Sequence, residues 1–349
     1  MKNVKPLGLF DDHFLMEKLT KLGDPLQKLN EFIDWDIFKA PLLKAIENST
    51  TDLSKGGRPP FDRLMMFKAL ILQGLYNLSD DQLEYQIVDR ASFKRFLEIK
   101  KSDKVPDSKT FWAFRELLIE KDVIGGMFRT FNELLDKAGV FANEGKMIDA
   151  SFVEAPRQRN NREENKHIKE TGTAPGKWKE EPNKLRQKDI DARWTKKNFV
   201  TFFGYKNHIK ADTKTKLIEE YIVTDASVHD SQVIGELLTE KDKGQPLYAD
   251  SAYGGEEQGK VYKKKEVVDK VHEKGYRNKP LTERQKADNR EKSRTRARVE
   301  HIFSFVENSM NGSIVRTIGM ARAKAKIGMM NLTYNINRCV QLKIKVSMG

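Results

Sequence analysis

The stretch Lys146-Met-Ile-Asp-Ala-Ser-Phe-Val-Glu-Ala155 combines a strongly apolar run with a carboxylate at its middle. Its β-branched and aromatic residues predict a buried strand of a central sheet. Burial of Asp149 in such a strand is costly unless a partner compensates its charge. An ion pair with a neighbouring lysine and a divalent cation would both do so, and this stretch alone is compatible with either.

A second stretch, Pro246-Leu-Tyr-Ala-Asp-Ser-Ala-Tyr253, repeats the pattern and brings Asp250 to the end of another apolar run. A third carboxylate, Glu300, lies at the margin of the apolar face of a basic helix. Three such carboxylates supply the hard oxygen ligands that Mg²⁺ prefers, and they fit a two-metal phosphoryl-transfer site. The alternative for Glu300 is a surface ion pair with Arg296 one turn earlier.

The order of the remaining elements predicts the fold of the second half of the chain. A first strand, an antiparallel hairpin and then strands alternating with helices give a mixed α/β sheet flanked by helices, the RNase H-like arrangement. In that topology the ends of the first and fourth strands are neighbours. The predicted strands are 146–155, 201–211, 217–224, 246–252 and 267–271, and the predicted helices are 229–238, 256–264, 283–310 and 321–341.

The first half of the chain has helical periodicity throughout. We therefore predict an all-α N-terminal domain over residues 1–140, with a turn or linker at 55–60, and a catalytic domain over 141–349. Ser79 and Gln82 form a capping-box pattern at the start of one helix. The helix pair around residues 78–83 is compatible with a DNA-reading helix-turn-helix and also with ordinary helical packing.

Basic residues are concentrated in three segments. The formal charge is +13, and residues 157–200 carry 13 Lys/Arg against 7 Asp/Glu, 256–300 carry 15 against 9, and 308–349 carry 7 against none. Such clustering indicates a polyanionic partner, and double-stranded DNA is the expected one. We expect 157–198 to be an extended, partly mobile excursion in which Trp178 and Trp194 either stack on nucleic acid or pin the loop.

Several classes of protein are disfavoured. The single cysteine, Cys339, excludes a disulfide within the chain and a cysteine-based zinc site. No HExxH pattern and no G-x-x-x-x-G-K-[ST] loop occurs. Neither a signal peptide nor an apolar run of membrane-spanning length is visible, so we expect a cytoplasmic protein with no membrane partner.

In its ordered motifs the chain resembles the DDE transposases of bacterial insertion sequences, in the insertion-sequence-five group. The resemblance covers most of the chain, including a helical region from about residue 57 to 99. Related insertion-sequence groups share a signature of Tyr, Arg, Glu and Lys at fixed spacing. Arg296 and Glu300 match this signature, whereas Ser293 and Glu307 stand at its Tyr and Lys positions. The matching motifs are Asp-Ala-Ser at 149–151, Phe-Gly-Tyr-Lys-Asn-His at 203–208, Thr-Asp-Ala-Ser-Val-His-Asp at 224–230, Ala-Asp-Ser-Ala-Tyr-Gly at 249–254 and Arg-Ala-Arg-Val-Glu-His at 296–301.

The resemblance implies Asp149, Asp250 and Glu300 as catalytic residues and ligands of two Mg²⁺ ions, with Mn²⁺ able to substitute. It implies cleavage at inverted-repeat ends and transfer into target DNA by a homodimer in a synaptic complex at the bacterial nucleoid. Two other functions compatible with the sequence are a non-catalytic DNA-binding regulator derived from a transposase and a simple RNase H-like nuclease. The expected DNA-contacting residues are Arg296, Arg298, His301, Lys206 and Trp194, and for His301 a plain surface role is equally compatible.

Overall fold

The computed structural model describes residues 11–47, 60–197 and 199–347. The predicted turn at 55–60 therefore lies almost entirely outside the described residues. The same is true of the start, near residue 57, of the helical region that shares the family resemblance. The chain divides into two compact units, residues 1–134 with 336–349 and residues 135–335. No described helix is long and apolar enough to cross a membrane.

The first unit is helical over its described residues, as the sequence predicts. Aromatic side chains form much of its core, where Trp35, Phe38 and Phe67 pack against one another. The capping box of Ser79 and Gln82 is present and starts the helix Asp80–Asp89. The helices that begin in this unit are Asp11–Lys21, Pro25–Phe32, Lys39–Glu47, Arg63–Leu75, Asp80–Asp89, Ala91–Leu97, Ser108–Glu120 and Val123–Lys137, with a 3₁₀ turn at Trp35–Phe38.

The second unit is built on a six-stranded mixed sheet. In chain order the strands are β1 (Lys146–Glu154), β2 (Arg193–Lys197), β3 (Val200–Asp212), β4 (Ile218–Asp225), β5 (Pro246–Tyr248) and β6 (Val268–Asp269). β1 pairs antiparallel with β3 and parallel with β5, while β3 also pairs with β2 and β4. Three antiparallel strands continuing into parallel ones confirm the predicted RNase H-like arrangement.

The glycine of the motif at 203–208 is required by the close approach of two strands. Gly204 has φ +150°, and a side chain there would collide with the backbone at Val153 in β1 and at Ala155 just beyond it. Only glycine allows so close an approach between the two strands.

The segment 157–198 differs from its prediction as an unpacked excursion. It forms the helices Arg162–Thr171, Gly176–Lys179 and Pro182–Gln187 and then enters the sheet as β2. Asn161 and Glu164 cap its first helix reciprocally, and Trp178 is fully buried. The segment is mostly polar, but it contains a few apolar residues that are buried. These residues are sufficient to stabilise short amphipathic helices.

The predicted fourth strand is also shorter than 246–252. β5 ends at Tyr248, because the Asp250 side chain accepts the backbone N–H of Ala252 and starts the 3₁₀ turn Ser251–Tyr253. Likewise, the predicted helix 229–238 consists of a 3₁₀ turn, Asp230–Val233, followed by a short helix, Ile234–Leu237.

The predicted long helix 283–310 is interrupted although it contains neither glycine nor proline. It consists of the helix Glu283–Arg296, a 3₁₀ turn Ala297–Val299, the helix Glu300–Ser304 and a π-helical turn Phe305–Ser309. The remaining helices of this half, Glu256–Lys264 and Met320–Gln341, agree with their predictions.

Candidate active site

Asp149 lies in the middle of β1, the central strand, with a side chain that is 16% exposed. One carboxylate oxygen, Oδ1, accepts the backbone N–H of Ala150 at 2.8 Å. The other, Oδ2, accepts Nη1 of Arg296 at 3.1 Å. The carboxylate that the sequence identified as costly to bury is therefore held by one local backbone donor and one cation from a distant helix.

Burial raises the pKa of Asp149 to about 6, and the negative charge of Asp250 adds to this effect. The backbone N–H of Ala150 and the positive charges of Arg296 and Lys197 lower the same pKa. The effect of burial on the pKa of Asp149 is thus larger than that of the two cations. Further positive charge beside Asp149 would favour its ionised form.

Asp250 comes to this end of the sheet through strand register. Met147 pairs with Tyr248 in the parallel ladder of β1 and β5. Continuing that register by two residues brings Asp149 level with Asp250, just beyond the last paired residue of β5. The carboxyl ends of adjacent parallel strands are where open α/β sheets bind their ligands.

Glu300 begins a short helix, and the apolar side chains of Val299 just before it and Ile302 within it are buried as predicted. Its own side chain is 65% exposed, and Oε1 lies 3.4 Å from Nη2 of Arg296. The structure thus contains the ion pair that was the alternative for this residue. Within residues 11–47, 60–197 and 199–347, no three Asp, Glu, His or Cys side chains are grouped closely enough to hold one metal ion.

The residues present fit a divalent cation in part. Asp149 and Asp250 supply hard oxygen ligands side by side, and the penalty on the Asp149 charge is what a cation would relieve. Glu300 fits the same site only when its ion pair with Arg296 opens. Among the described residues, the Nε atom of Arg296 is one of the buried polar atoms without a hydrogen-bond partner, so this guanidinium is incompletely satisfied where it lies.

Glu307 was not predicted as a site residue, yet it contacts the same strand. The hydroxyl of Ser151 donates a hydrogen bond to Oε1 of Glu307. Because Ser151 follows Asp149 by two residues, the two side chains share one face of β1. The signal in the sequence was the spacing of Glu300 and Glu307, which are seven residues apart and so recur on one side of a helix.

The predicted DNA-contacting residues differ in availability. Lys206 is 7% exposed, and its ammonium donates to Asp230 and to the carbonyl of Val228, each at 2.7 Å. Arg298 is exposed but donates to the carbonyl of Thr213 at 3.0 Å. Lys206 was expected to contact a DNA phosphate, but its positive charge is already satisfied by these two partners inside the protein.

Two other predicted contacts are more open to solvent. His301 is exposed, and Trp194 is partly exposed on β2, with its ring 4.8 Å from that of Phe203. Arg157 lies over the Trp194 ring at 6.0 Å. An aromatic ring flanked by a cation is the kind of surface on which nucleic-acid bases stack.

Comparison with known proteins identifies the two halves separately. The family described as "Transposase DDE domain" matches residues 143–336, and a second transposase domain family matches residues 13–117. Among solved structures, a cryo-electron microscopy structure of the piggyBac transposase synaptic complex with hairpin DNA is similar at 11% sequence identity. That match has a TM-score of 0.44 and covers 93% of this chain and 77% of the other.

Proposed function

Because the chain belongs to the DDE transposases, we propose that Asp149, Asp250 and Glu300 are the carboxylates that hold its divalent metal ions. Enzymes of this family cut DNA and transfer the cut strand with the help of such ions. The finer assignments, two ions and Mg²⁺ with Mn²⁺ as a substitute, rest on the hard oxygen donors of these three residues. When bound, the ions activate the attacking oxygen and stabilise the leaving one.

The observation that carries the proposal is the pairing of Asp149 with Asp250. The register of β1 and β5 brings the two carboxylates level at the carboxyl ends of two central strands, and burial raises the pKa of Asp149 to about 6. Burial and the negative charge of Asp250 both disfavour the ionised form of Asp149, and a divalent cation beside the two carboxylates would relieve both effects.

Arg296 has two roles in this proposal. In the protein alone, its guanidinium neutralises Asp149 and pairs with Glu300. If Asp149 held a cation through the same oxygen, the Arg296 guanidinium would be free to bind a DNA phosphate. Glu300 would then be available as the third carboxylate. Arg296 would thus neutralise the negative charge of these acidic residues until metal and DNA bind together.

The proposed substrates are double-stranded DNA ends with inverted repeats and a target duplex. We also propose a homodimer, in which each subunit would hold one end, acting at the nucleoid in the bacterial cytoplasm. The exposed residues His301 and Trp194 are the better supported DNA contacts, whereas Lys206 contributes by holding Asp230 beside the site. Arg298 would reach DNA only on leaving the carbonyl of Thr213.

The test uses DNA that carries the short inverted repeats expected to flank the gene. Mg²⁺ or Mn²⁺ should support cutting, and Ca²⁺ should support binding without cutting because it prefers looser coordination. Asp149→Asn and Asp250→Asn should each abolish cutting while DNA binding persists. Asp269→Asn, which changes an exposed carboxylate at the end of β6 that accepts the backbone N–H of Val271, is the matched control and should cut normally. Full activity in excess chelator would overturn the proposal.

A further inference from the structure

The side chain of Tyr253 ends in a buried hydroxyl group beside the proposed metal site. Tyr253 is fully buried, and it closes the 3₁₀ turn Ser251–Tyr253 that Asp250 caps. Its backbone N–H donates to the carbonyl of Asp250 at 3.1 Å. The turn therefore holds Tyr253 close to one of the two carboxylates that carry the proposed function.

The hydroxyl of Tyr253 has no hydrogen-bond partner among the residues that the structure describes. The other buried tyrosines of the described ranges are all partnered. Tyr262 donates to the carbonyl of Tyr253 at 2.7 Å, and Tyr205 and Tyr334 donate at 2.7 and 2.8 Å to other acceptors. A buried hydroxyl without a partner is costly, and phenylalanine would fill the same space without this cost. The hydroxyl therefore calls for a role other than packing.

The surroundings of the Tyr253 ring hold this hydroxyl near both central carboxylates. The ring belongs to an apolar cluster that also contains Ile148 and Ala249, the residues directly before Asp149 and Asp250. Such close packing leaves the ring little freedom to move.

The hydroxyl is a neutral donor in an acidic environment. Burial raises the pKa of Tyr253 well above its ordinary value, and the negative charges of Asp149, Asp230 and Asp250 add to this effect. The hydroxyl therefore keeps its proton, and it can donate a hydrogen bond to a carboxylate close by.

Of these three carboxylates, that of Asp250 is the most open to a further donor. Asp230 is paired with a lysine at 2.7 Å, and both oxygens of Asp149 already accept hydrogen bonds. Oδ1 of Asp250 accepts the N–H of Ala252 at 2.8 Å, whereas its Oδ2 accepts nothing from the described part of the chain.

We propose that Tyr253 is a positioning residue of the metal site, and that its hydroxyl donates a hydrogen bond to the Asp250 carboxylate when a divalent ion is bound. The inference rests on the proposed function, because it requires Asp250 to be a metal ligand. Carboxylates that bind metal ions are themselves hydrogen-bonded by a second group, which fixes their orientation. Metal binding would thus satisfy a hydroxyl that is unpaired without it.

The test compares Mn²⁺ binding and melting temperature in the full-length protein without DNA. Tyr253→Phe removes one oxygen atom and keeps the ring. Its melting temperature without metal should hold or rise, because the change removes an unpaired buried hydroxyl. Its Mn²⁺ affinity, measured by electron paramagnetic resonance of free Mn²⁺, should fall about tenfold, the lower end of the loss expected when such a partner of a metal ligand is removed.

Tyr262→Phe is the matched control, because it removes a partnered hydroxyl from the same apolar cluster. Its melting temperature should fall, since the carbonyl of Tyr253 loses a donor. Its Mn²⁺ affinity should stay close to that of wild type. The two variants should therefore differ in both measurements, as a metal-positioning hydroxyl and a structural one would.

The hydrogen bond itself should be visible in the absorption of tyrosine. A phenol that donates a hydrogen bond absorbs at longer wavelength than one that does not. Adding Mg²⁺ to wild type should therefore produce a shift to the red that is absent in Tyr253→Phe and present in Tyr262→Phe.

Three results would overturn the inference. They are an unchanged Mn²⁺ affinity in Tyr253→Phe, a lower melting temperature in that variant, and an equal loss of affinity in Tyr262→Phe. Asp149→Asn and Asp250→Asn separate these results from the proposed function. If both aspartate variants weaken Mn²⁺ binding and Tyr253→Phe does not, the metal site stands and the inference fails. If neither weakens it, the proposed function fails and the inference with it.

Discussion

Nη1 of Arg296 donates a hydrogen bond to Oδ2 of Asp149 over 3.1 Å, although 147 residues separate the two in the chain. The same guanidinium pairs with Glu300 at 3.4 Å. One cation therefore links the buried aspartate of the central strand to the exposed glutamate of a later helix. In the proposed metal site, the Arg296 guanidinium and a bound metal ion would therefore compete for Asp149.

The competition can be measured in the protein without DNA. Arg296→Gln should bind Mn²⁺ several-fold more tightly than wild type, because the change removes a positive charge beside Asp149 and releases Glu300. Titration followed by electron paramagnetic resonance of free Mn²⁺ gives the affinity. Arg298→Gln removes an equal charge from an arginine that contacts the Thr213 carbonyl instead, and it should change the affinity less. Unchanged or weaker binding in Arg296→Gln would show that the arginine does not compete with metal.

The 157–197 segment should behave as a folded element. Trp178 is fully buried, and its indole donates to Oε1 of Glu164 at 2.7 Å. Trp178→Ala should cost about 3–5 kcal/mol of unfolding free energy and open the segment to limited proteolysis. Trp194→Ala, on the partly exposed β2, should cost less than about 1 kcal/mol. Rapid cutting of the wild-type segment would contradict its packed structure.

A buried ion pair beneath the sheet should contribute strongly to stability. Lys210 donates to Asp242 at 2.6 Å, and both side chains are at most 2% exposed. Asp242→Asn keeps the shape but leaves Glu219, 3.8 Å away, as the charged partner of the lysine, beside the Thr239 hydroxyl at 3.4 Å. We expect a loss of about 3 kcal/mol in urea unfolding. Glu144→Gln breaks the exposed pair with Lys214 and should cost less than about 1 kcal/mol. Equal losses would contradict this account.

His208 should make the protein sensitive to acid. Burial lowers its pKa from 6.5 to about 4, so the folded protein holds the neutral ring while the unfolded chain takes up a proton. The stability due to this residue is complete above pH 6.5 and is lost as the pH falls toward 4, by about 1.4 kcal/mol per pH unit. Unfolding free energies between pH 7 and 4.5 should show a shallower slope for His208→Gln. His229→Gln, at an exposed position, is the control, and identical slopes in all three proteins would refute the assignment.

Strand and helix periodicity predicted most of the second unit because β1 and β3 are long and strongly patterned. The limits of prediction appear where one polar side chain redirects the backbone. Asp250 ends β5 by capping a turn, which no hydrophobic pattern records. The polar segment 157–198 was predicted as unpacked because its folding depends on a few buried residues such as Trp178, and composition averages over them.

The residues of the candidate site also divide into those that the sequence pattern identified and those that it did not. Asp149 and Asp250 were identifiable because a carboxylate in an apolar run is anomalous wherever it occurs. The contacts of Arg296 with Asp149 and of Ser151 with Glu307 join residues more than a hundred positions apart. Such contacts depend on how the helix crosses the sheet, which the sequence pattern does not specify.

The most direct test of the metal site compares Glu300→Gln with Glu307→Gln, two identical changes seven residues apart on the same helical stretch. Each keeps the size of the side chain, and Gln at 307 can still accept the Ser151 hydrogen bond. Metal-dependent cutting, DNA affinity and melting temperature are measured on the same samples.

Glu300→Gln should lose cutting by orders of magnitude while DNA affinity holds or rises slightly and the melting temperature stays unchanged, and Glu307→Gln should cut like wild type. Near-normal cutting by Glu300→Gln together with loss in Glu307→Gln would contradict the assignment of Glu300 and make Glu307 the third carboxylate.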